Sequence, residues 1–315
     1  MTREGVPPLL LARGARVAID GVVATGPLDI ETTGRWLVLA GDTAPLVAAL
    51  TGIPVGLPRA FELAAHDELA PIDGRASIVQ GEVRVAGRVP GEGAPLGVAL
   101  RDPPLPGELD VFDWVVSAAR LGLTLAGAPT SLARARADEA LALVGLGGAR
   151  KRPIRNLFPA ERRVLTLALA TVAHPRAVVV DRPLEALPPE GSERVCAALD
   201  AISARHPLIV AVGSLDPATP DGQLAHRATD LAVLARGELA YVGSPAALPA
   251  GARRYRLIVR DRAEPLCAEL ASRGVAIAGG PHHFVASFPH GFGPSDVLRA
   301  AAAVRAPVVE LAPLM

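Results

Sequence analysis

Apolar and polar positions change period repeatedly along the chain. Between residues 9 and 40, short runs separated by glycines read as β segments at Arg16–Ile19, Gly26–Ile30 and Arg35–Ala40. The last, RWLVLA, has the unbroken apolar character of a buried strand. GDTAPLVAALTG follows from Gly41, a Gly-led turn and then an apolar helix. Residues 53–80 are rich in Pro and Gly and read as irregular. GEVRVAGR (81–88) alternates as a strand does, and GVAL (97–100) reads as another. Helical signal dominates from Val111 to Gly147, with Asp138-Glu139 opening an amphipathic stretch. Glu161–Val172 is a helix with an apolar stripe at Val164, Leu165, Ala168, Leu169 and Val172. AVVV (177–180) is an apolar strand ending in Asp181, Glu190–Ala204 a helix, and PLIVAVGS (207–214) a second buried strand. DLAVLARGELAYVG (230–243) reads as a hairpin turning at Arg236-Gly237. Apolar strands alternating with helices predict an α/β sheet covered on both faces.

After Ser244-Pro245 and Pro249-Ala250-Gly251 the pattern restarts. RRYRLIVR, AEPLCAELASRG, VAIAGG, HHFVASF, SDVLRAAAAVR and PVVEL give the order β-α-β-β-α-β. That is the split βαβ, ferredoxin-like arrangement of a small α+β domain. The expected division is therefore 1–248 and 251–315, with a helical subdomain at about 103–158.

Composition narrows the function. The 315 residues carry 32 basic and 32 acidic side chains, which argues against electrostatic binding of nucleic acid. Half the residues are apolar, too many for disorder. Mean hydropathy is high at +0.33, yet no 18-residue apolar stretch exists, and the N-terminal apolar run is too short for a secretion signal. Cys196 and Cys267 lie far apart with no CxxC or Cys/His cluster, so neither a disulfide framework nor a metal site is expected. Of the basic residues only Lys151 is a lysine; any chemistry that needs lysine must use it.

The order and spacing of segments over residues 9–248 resemble the ATP-binding subunit of ABC transporters, most closely the export-type branch with an added C-terminal domain. The details that carry the resemblance are the Asp-x-Pro after AVVV, the helix start Glu161-Arg162-Arg163, and LARGELAYVGSPAAL. The resemblance implies a P-loop NTPase-like domain with a helical subdomain. It also implies a dimer of such domains beneath a membrane permease, and a cytoplasmic place, peripheral on the inner face of the cell membrane.

Almost every functional landmark of that family is altered. Its phosphate loop, GxxxxGK[ST], cradles phosphates on backbone N–H groups, reaches the β/γ oxygens with Lys and holds Mg²⁺ by a hydroxyl. Here Gly41-Asp42-Thr43-Ala44-Pro45 stands in its place. It is about four residues short in the middle, has no Lys, and carries a proline that removes a donor. Losing several charge-assisted hydrogen bonds should cost on the order of 5 kcal/mol. A micromolar site holds only about 8 kcal/mol. Arg101 falls at the glutamine-loop position, and Phe158-Pro159-Ala160 replace the Ser-Gly-Gly of the signature, leaving Leu157 and Glu161. Asp181 is kept, Arg182 replaces the glutamate that polarises water, Pro188 stands at the D-loop aspartate, and Ser214 stands at the switch histidine.

No catalytic residue remains in this reading. Gly145 and Lys151 have the right offset for a phosphate loop but the wrong context. Arg150, Lys151, Arg152 and Arg155 read as a solvated basic turn, with an anion site as the alternative. Asp181 reads as a relic ahead of a metal ligand, His282-His283 as hairpin or strand residues, and Gly91, Gly93 and Gly97 lie in a Pro-rich loop without dinucleotide spacing. Cys267, Trp36 and Trp114 are expected in the core. The expected function is a degenerate ATP-binding subunit, structural or regulatory, paired with an intact ATP-binding subunit and a membrane permease, or with itself; no cofactor is expected. The alternatives are an active subunit with a divergent pocket for ATP and Mg²⁺, and a small-ligand sensor acting through residues 251–315.

Overall fold

The structure, a computed structural model, describes residues 7–32, 34–53, 74–92, 96–235, 237–247, 253–280, 282–289 and 292–314. The expectations for the N-terminal six residues, most of the irregular stretch (54–73), Gly93, Arg236 and 249–251 lie outside them. The chain divides into two compact units, 1–245 and 246–315.

In chain order the first unit contains β1 (Leu10–Ile19), β2 (Val22–Val23), β3 (Leu28–Glu31), β4 (Trp36–Gly41), α1 (Ala44–Thr51), β5 (Ala76–Val85), β6 (Gly97–Ala99), α2 (Val111–Leu125), α3 (Ala133–Leu143), α4 (Pro159–Thr171), β7 (Val178–Asp181), α5 (Pro189–Ser203), β8 (Leu208–Val212), α6 (Pro220–Ala225), β9 (Asp230–Ala235) and β10 (Glu238–Gly243). β1, β2, β3 and β5 form an antiparallel sheet. A second sheet has the order β10-β9-β4-β8-β7-β6, parallel except for the β9–β10 hairpin. Leu10, Ala12, Leu28, Leu37, Leu39, Leu46, Leu50 and Ile209 belong to one buried cluster that joins the two sheets through α1.

Several boundaries differ from the sequence reading. β1 begins six residues before Arg16, because its register shifts around Gly14 and Arg16 and breaks the period-2 pattern. β5 begins at Ala76, inside the stretch read as irregular; its partner strand, not its own alternation, makes it a strand. The helical region after Val111 contains two helices. α2 closes at Ala126, and α3 starts at Ala133, five residues before Asp138. Trp36 is buried, but Trp114 is only half-buried, as is Cys267.

The edge strand β6 presses on α4. A Cβ on Gly97 would lie 2.0 Å from the carbonyl oxygen of Ala170, so no larger residue fits without moving a strand or helix. α4 itself is anchored at its start. Glu161, 5% exposed, accepts both guanidinium nitrogens of Arg152 at 2.9 Å, Arg194 of α5 at 3.3 Å and the N–H of Phe158 at 3.0 Å. Arg152 also donates to the carbonyl of Asn156. One carboxylate thus ties the segment before α4, the helix start and α5 together. Burial works against its charge, but the bonds from Arg152 and Phe158 outweigh that and hold its pKa below the ordinary value.

The second unit is β11 (Arg253–Val259), α7 (Ala263–Ser272), β12 (Ala276–Gly279), β13 (His283–Phe288), α8 (Pro294–Val304) and β14 (Val308–Leu314). Its sheet order is β12-β13-β11-β14, antiparallel at every pairing. Leu266 and Leu270 of α7 and Val297, Ala300 and Ala301 of α8 bury against Leu257, Val259, Phe284, Ala286 and Phe288 in a separate core.

Two outcomes follow for stability. Gly97→Ala should destabilise the first unit by about 3 kcal/mol, read as a fall in the urea midpoint at unchanged slope. Glu161→Gln should cost about 2 kcal/mol at neutral pH. A lowered folded pKa gives stability that is present above the unfolded value and is lost as pH falls through the folded one. Wild type should therefore lose stability more steeply than Glu161→Gln below about pH 4, in urea titrations at stepped pH.

Candidate functional site

Parallel pairing puts the carboxyl ends of β4, β6, β7 and β8 on one edge of the sheet, where α/β folds place their sites. Gly41 and Asp181 end β4 and β7, and Arg101, Arg182 and Ser214 lie one or two residues beyond the ends of β6, β7 and β8. Pro188 caps the start of α5, and Leu157–Glu161 lead into α4.

The connection from β4 to α1 is only two residues, Asp42 and Thr43. Gly41 has φ +85°, and a Cβ there would meet the carbonyl oxygen of Leu234 at 2.0 Å, so only glycine can stand here. The Asp42 N–H donates to that same Leu234 carbonyl at 3.0 Å, and the Thr43 N–H donates to Gly41 at 2.8 Å. Thr43 is buried, and its carbonyl accepts from Val47. Pro45 has no N–H. The exposed acid Asp42 sits directly before the helix start, where an anion would need to approach.

The chain's one lysine lies in another segment, between α3 and α4. Its basic neighbours there are already engaged. Arg150 pairs with Asp138 and lies 4.0 Å over the Phe112 ring, Arg152 holds Glu161, and Arg155 pairs with Glu108. The basic turn is therefore an ion-paired surface more than a freely solvated one.

At the β6 and β7 ends, charges alternate through contacts that the sequence does not reveal. Arg163 of α4 meets Asp102 at 2.9 Å, and Asp102 meets Arg101 at 2.9 Å. Arg101 meets Glu185 at 2.5 Å, Glu185 meets Arg182 at 3.7 Å, and Arg182 meets Asp181 at 4.0 Å. Burial pushes the Asp181 carboxyl up, against the pull of Arg182 and Arg101. Burial lowers the Arg163 guanidinium, with Asp102 opposing. For Arg101, burial is outweighed by Glu185, and its pKa is raised. Arg182 adopts φ +41°, and its N–H still bonds the carbonyl of Ala211, which turns the chain sharply away from β7. Sequence reasoning missed Glu185 and Arg163. The available signals were an acid four residues beyond Asp181 and a charge within an apolar helix.

Ser214 is spent on local structure: its hydroxyl oxygen accepts from the Asp216 N–H at 3.1 Å. The preceding Gly213 N–H donates to Asp221 at 2.8 Å. Burial raises the Asp221 carboxyl, with the Gly213 and Ser214 N–H groups opposing. At the start of α4, Leu157 is buried, Phe158 is 70% exposed, and Pro159 opens the helix without a donor. No group of three His, Cys, Asp or Glu residues among the described residues could hold a metal ion. A magnesium nucleotide needs convergent N–H donors, a cation at the β/γ oxygens and a hydroxyl for the metal. Among the described residues of this edge, the Asp42 and Thr43 N–H groups are bonded within the chain and the charged side chains at the β6 and β7 ends pair with one another.

No protein-family model matches the chain. A putative ABC transporter ATP-binding protein of Streptomyces coelicolor is 35% identical over 114 residues, 36% of this chain and 38% of that protein. A second from the same organism is 30% identical over 196 residues, 59% of this chain and 32% of that protein. The taurine import ATP-binding protein of Pseudomonas entomophila is 36% identical over 119 residues, 38% of this chain and 42% of that protein. The matches thus span well under half the length of each of these curated relatives, and none of the three names refers to export. In structure, cbiO1 from Clostridium perfringens, described as part of the ABC transporter complex cbiONQ, superposes with a TM-score of 0.57 at 16% identity, covering 76% of this chain and 89% of its own. No helix among the described residues is long and apolar enough to cross a membrane. The chain's relatives in sequence are ABC transporter ATP-binding proteins, and its fold is that of an ABC ATP-binding subunit.

Proposed function

We propose that the chain is a degenerate ATP-binding subunit with a structural or regulatory role. It takes the place of one ATP-binding partner in an ABC transporter complex, pairs with an intact ATP-binding subunit, and seats permease helices in the groove beside residues 96–120. It works on the cytoplasmic face, peripheral to the membrane, and residues 246–315 act as its accessory domain. The names of the relatives and of the cbiONQ complex support a place in such an assembly.

The observation that carries the loss of ATP chemistry is the two-residue turn at Asp42-Thr43. Both of its N–H groups are bonded within the chain, to Leu234 and Gly41, and the lysine and the hydroxyl pair of a phosphate loop have no counterpart there. Arg182 supports the same reading. A guanidinium cannot act as base toward an attacking water, and it reverses the charge where a γ-phosphate would be attacked.

Titration calorimetry with Mg-ATP should give no binding tighter than about 1 mM; a micromolar dissociation constant would overturn the degenerate reading. Arg182→Glu should leave the protein without ATPase activity, since the turn at β4 is untouched. Magnesium-dependent turnover appearing in that variant would show that the turn suffices. Purified from its native host, the protein should travel with a permease and an active ATPase; recovery solely as a free monomer would sink the proposed assembly.

A further inference from the structure

Six charged side chains run in strict alternation across three segments: Arg163 of α4, Asp102 and Arg101 after β6, and Glu185, Arg182 and Asp181 at the end of β7. The series begins with a cation, ends with an anion and sums to zero. Arg101 and Arg163 are mostly buried, with side chains 15% and 9% exposed, while their partners Asp102 and Glu185 are 52% and 33% exposed, so salt still reaches these pairs. Arg101 is the centre of the series. It holds the segment that leads into α2 against the turn that leads into α5, through Glu185, while Asp102 holds the same segment to α4.

We infer that this alternating series is a built-in ionic latch, fixing the segment before α2 on α4 and on the turn after β7 in one arrangement that no nucleotide is needed to maintain. It rests on the reading that the site takes no magnesium nucleotide: the chain's own charges neutralise one another where a ligand would otherwise be the counter-charge. The helical part would then present a constant surface to its partners.

Hydrogen-exchange mass spectrometry on the full chain tests this, comparing wild type with Arg101→Met, Glu185→Gln and the double variant, each with and without Mg-ATP. Each single variant should speed exchange by about five- to tenfold in both 99–112 and 182–189, although each alters only one of them. The double variant should fall short of the product of the singles, because both lose the Arg101–Glu185 pair, while Arg101→Met also loses Asp102 and Glu185→Gln also loses Arg182. β8, at 208–212, should not change. Acceleration confined to the mutated segment, or effects that multiply in the double variant, would overturn the latch. So would a change in 99–112 of wild type on adding Mg-ATP. New protection by Mg-ATP confined to 41–47 would instead overturn the degenerate-site reading while leaving the latch standing. Should Arg101→Met not fold, wild type compared at 1 M and 0.1 M salt tests the same link. Faster exchange in both segments at high salt supports the latch, and no change in either refutes it.

Discussion

β4 is bonded on both edges, to β8 and to β9, and its side chains from Leu37 to Ala40 are excluded from solvent. A strand held so completely cannot shift along its axis without breaking two ladders and moving its whole apolar set. Its last residue, Gly41, is therefore pinned beside Leu234, close enough that the approach tolerates no side chain. From that point the chain has two residues in which to enter α1, and it spends their N–H groups on closing the turn. A phosphate cradle requires the opposite: a longer loop whose donors point outward and find no partner until the ligand arrives. The fixed end of β4 and the short connection together set the path of the chain at this edge of the sheet.

The ends of β6 and β7 answer the same constraint by electrostatics. Three guanidiniums brought to a half-buried edge would repel one another, and three carboxylates would do the same. Alternation makes the set neutral. Pairs of this exposure add about 1 kcal/mol or less each to stability. Arg163, the most buried, is the member that most needs its partner, because a lone charge at that depth is costly. The network's main effect is geometric: it selects one arrangement of three segments.

Two residues that fit the pattern of the resembled family, Leu157 and Glu161, do structural work inside the chain. Leu157 is buried, and Glu161 binds three segments at once. The positions that depart from the pattern are ones whose family role is to meet a nucleotide, and their replacements are absorbed locally. Ser214 closes its own turn, and Pro159 opens a helix. Phe158 is different. It lies exposed at the helix start, held there by its N–H bond to Glu161.

The sequence by itself determined most of the succession of strands and helices, but not the short β2 or α6. Buried runs such as AVVV and RWLVLA were legible because apolar character and the offsets between runs are local properties. The sequence missed the start of β1 and of β5, where a bulge or a partner strand, not periodicity, defines the element. It placed helix over 111–147 without the break between Leu125 and Ala133. The shortness of the turn between β4 and α1 was legible; that its two N–H groups bond to Gly41 and Leu234 was not, since Leu234 lies nearly two hundred residues away. The pairing of Arg101 with Glu185, of Asp102 with Arg163, and of Arg152 with Glu161 was likewise decided only by the fold. Charge partners are chosen by proximity in three dimensions, and a balanced count of charges says nothing about which of them meet.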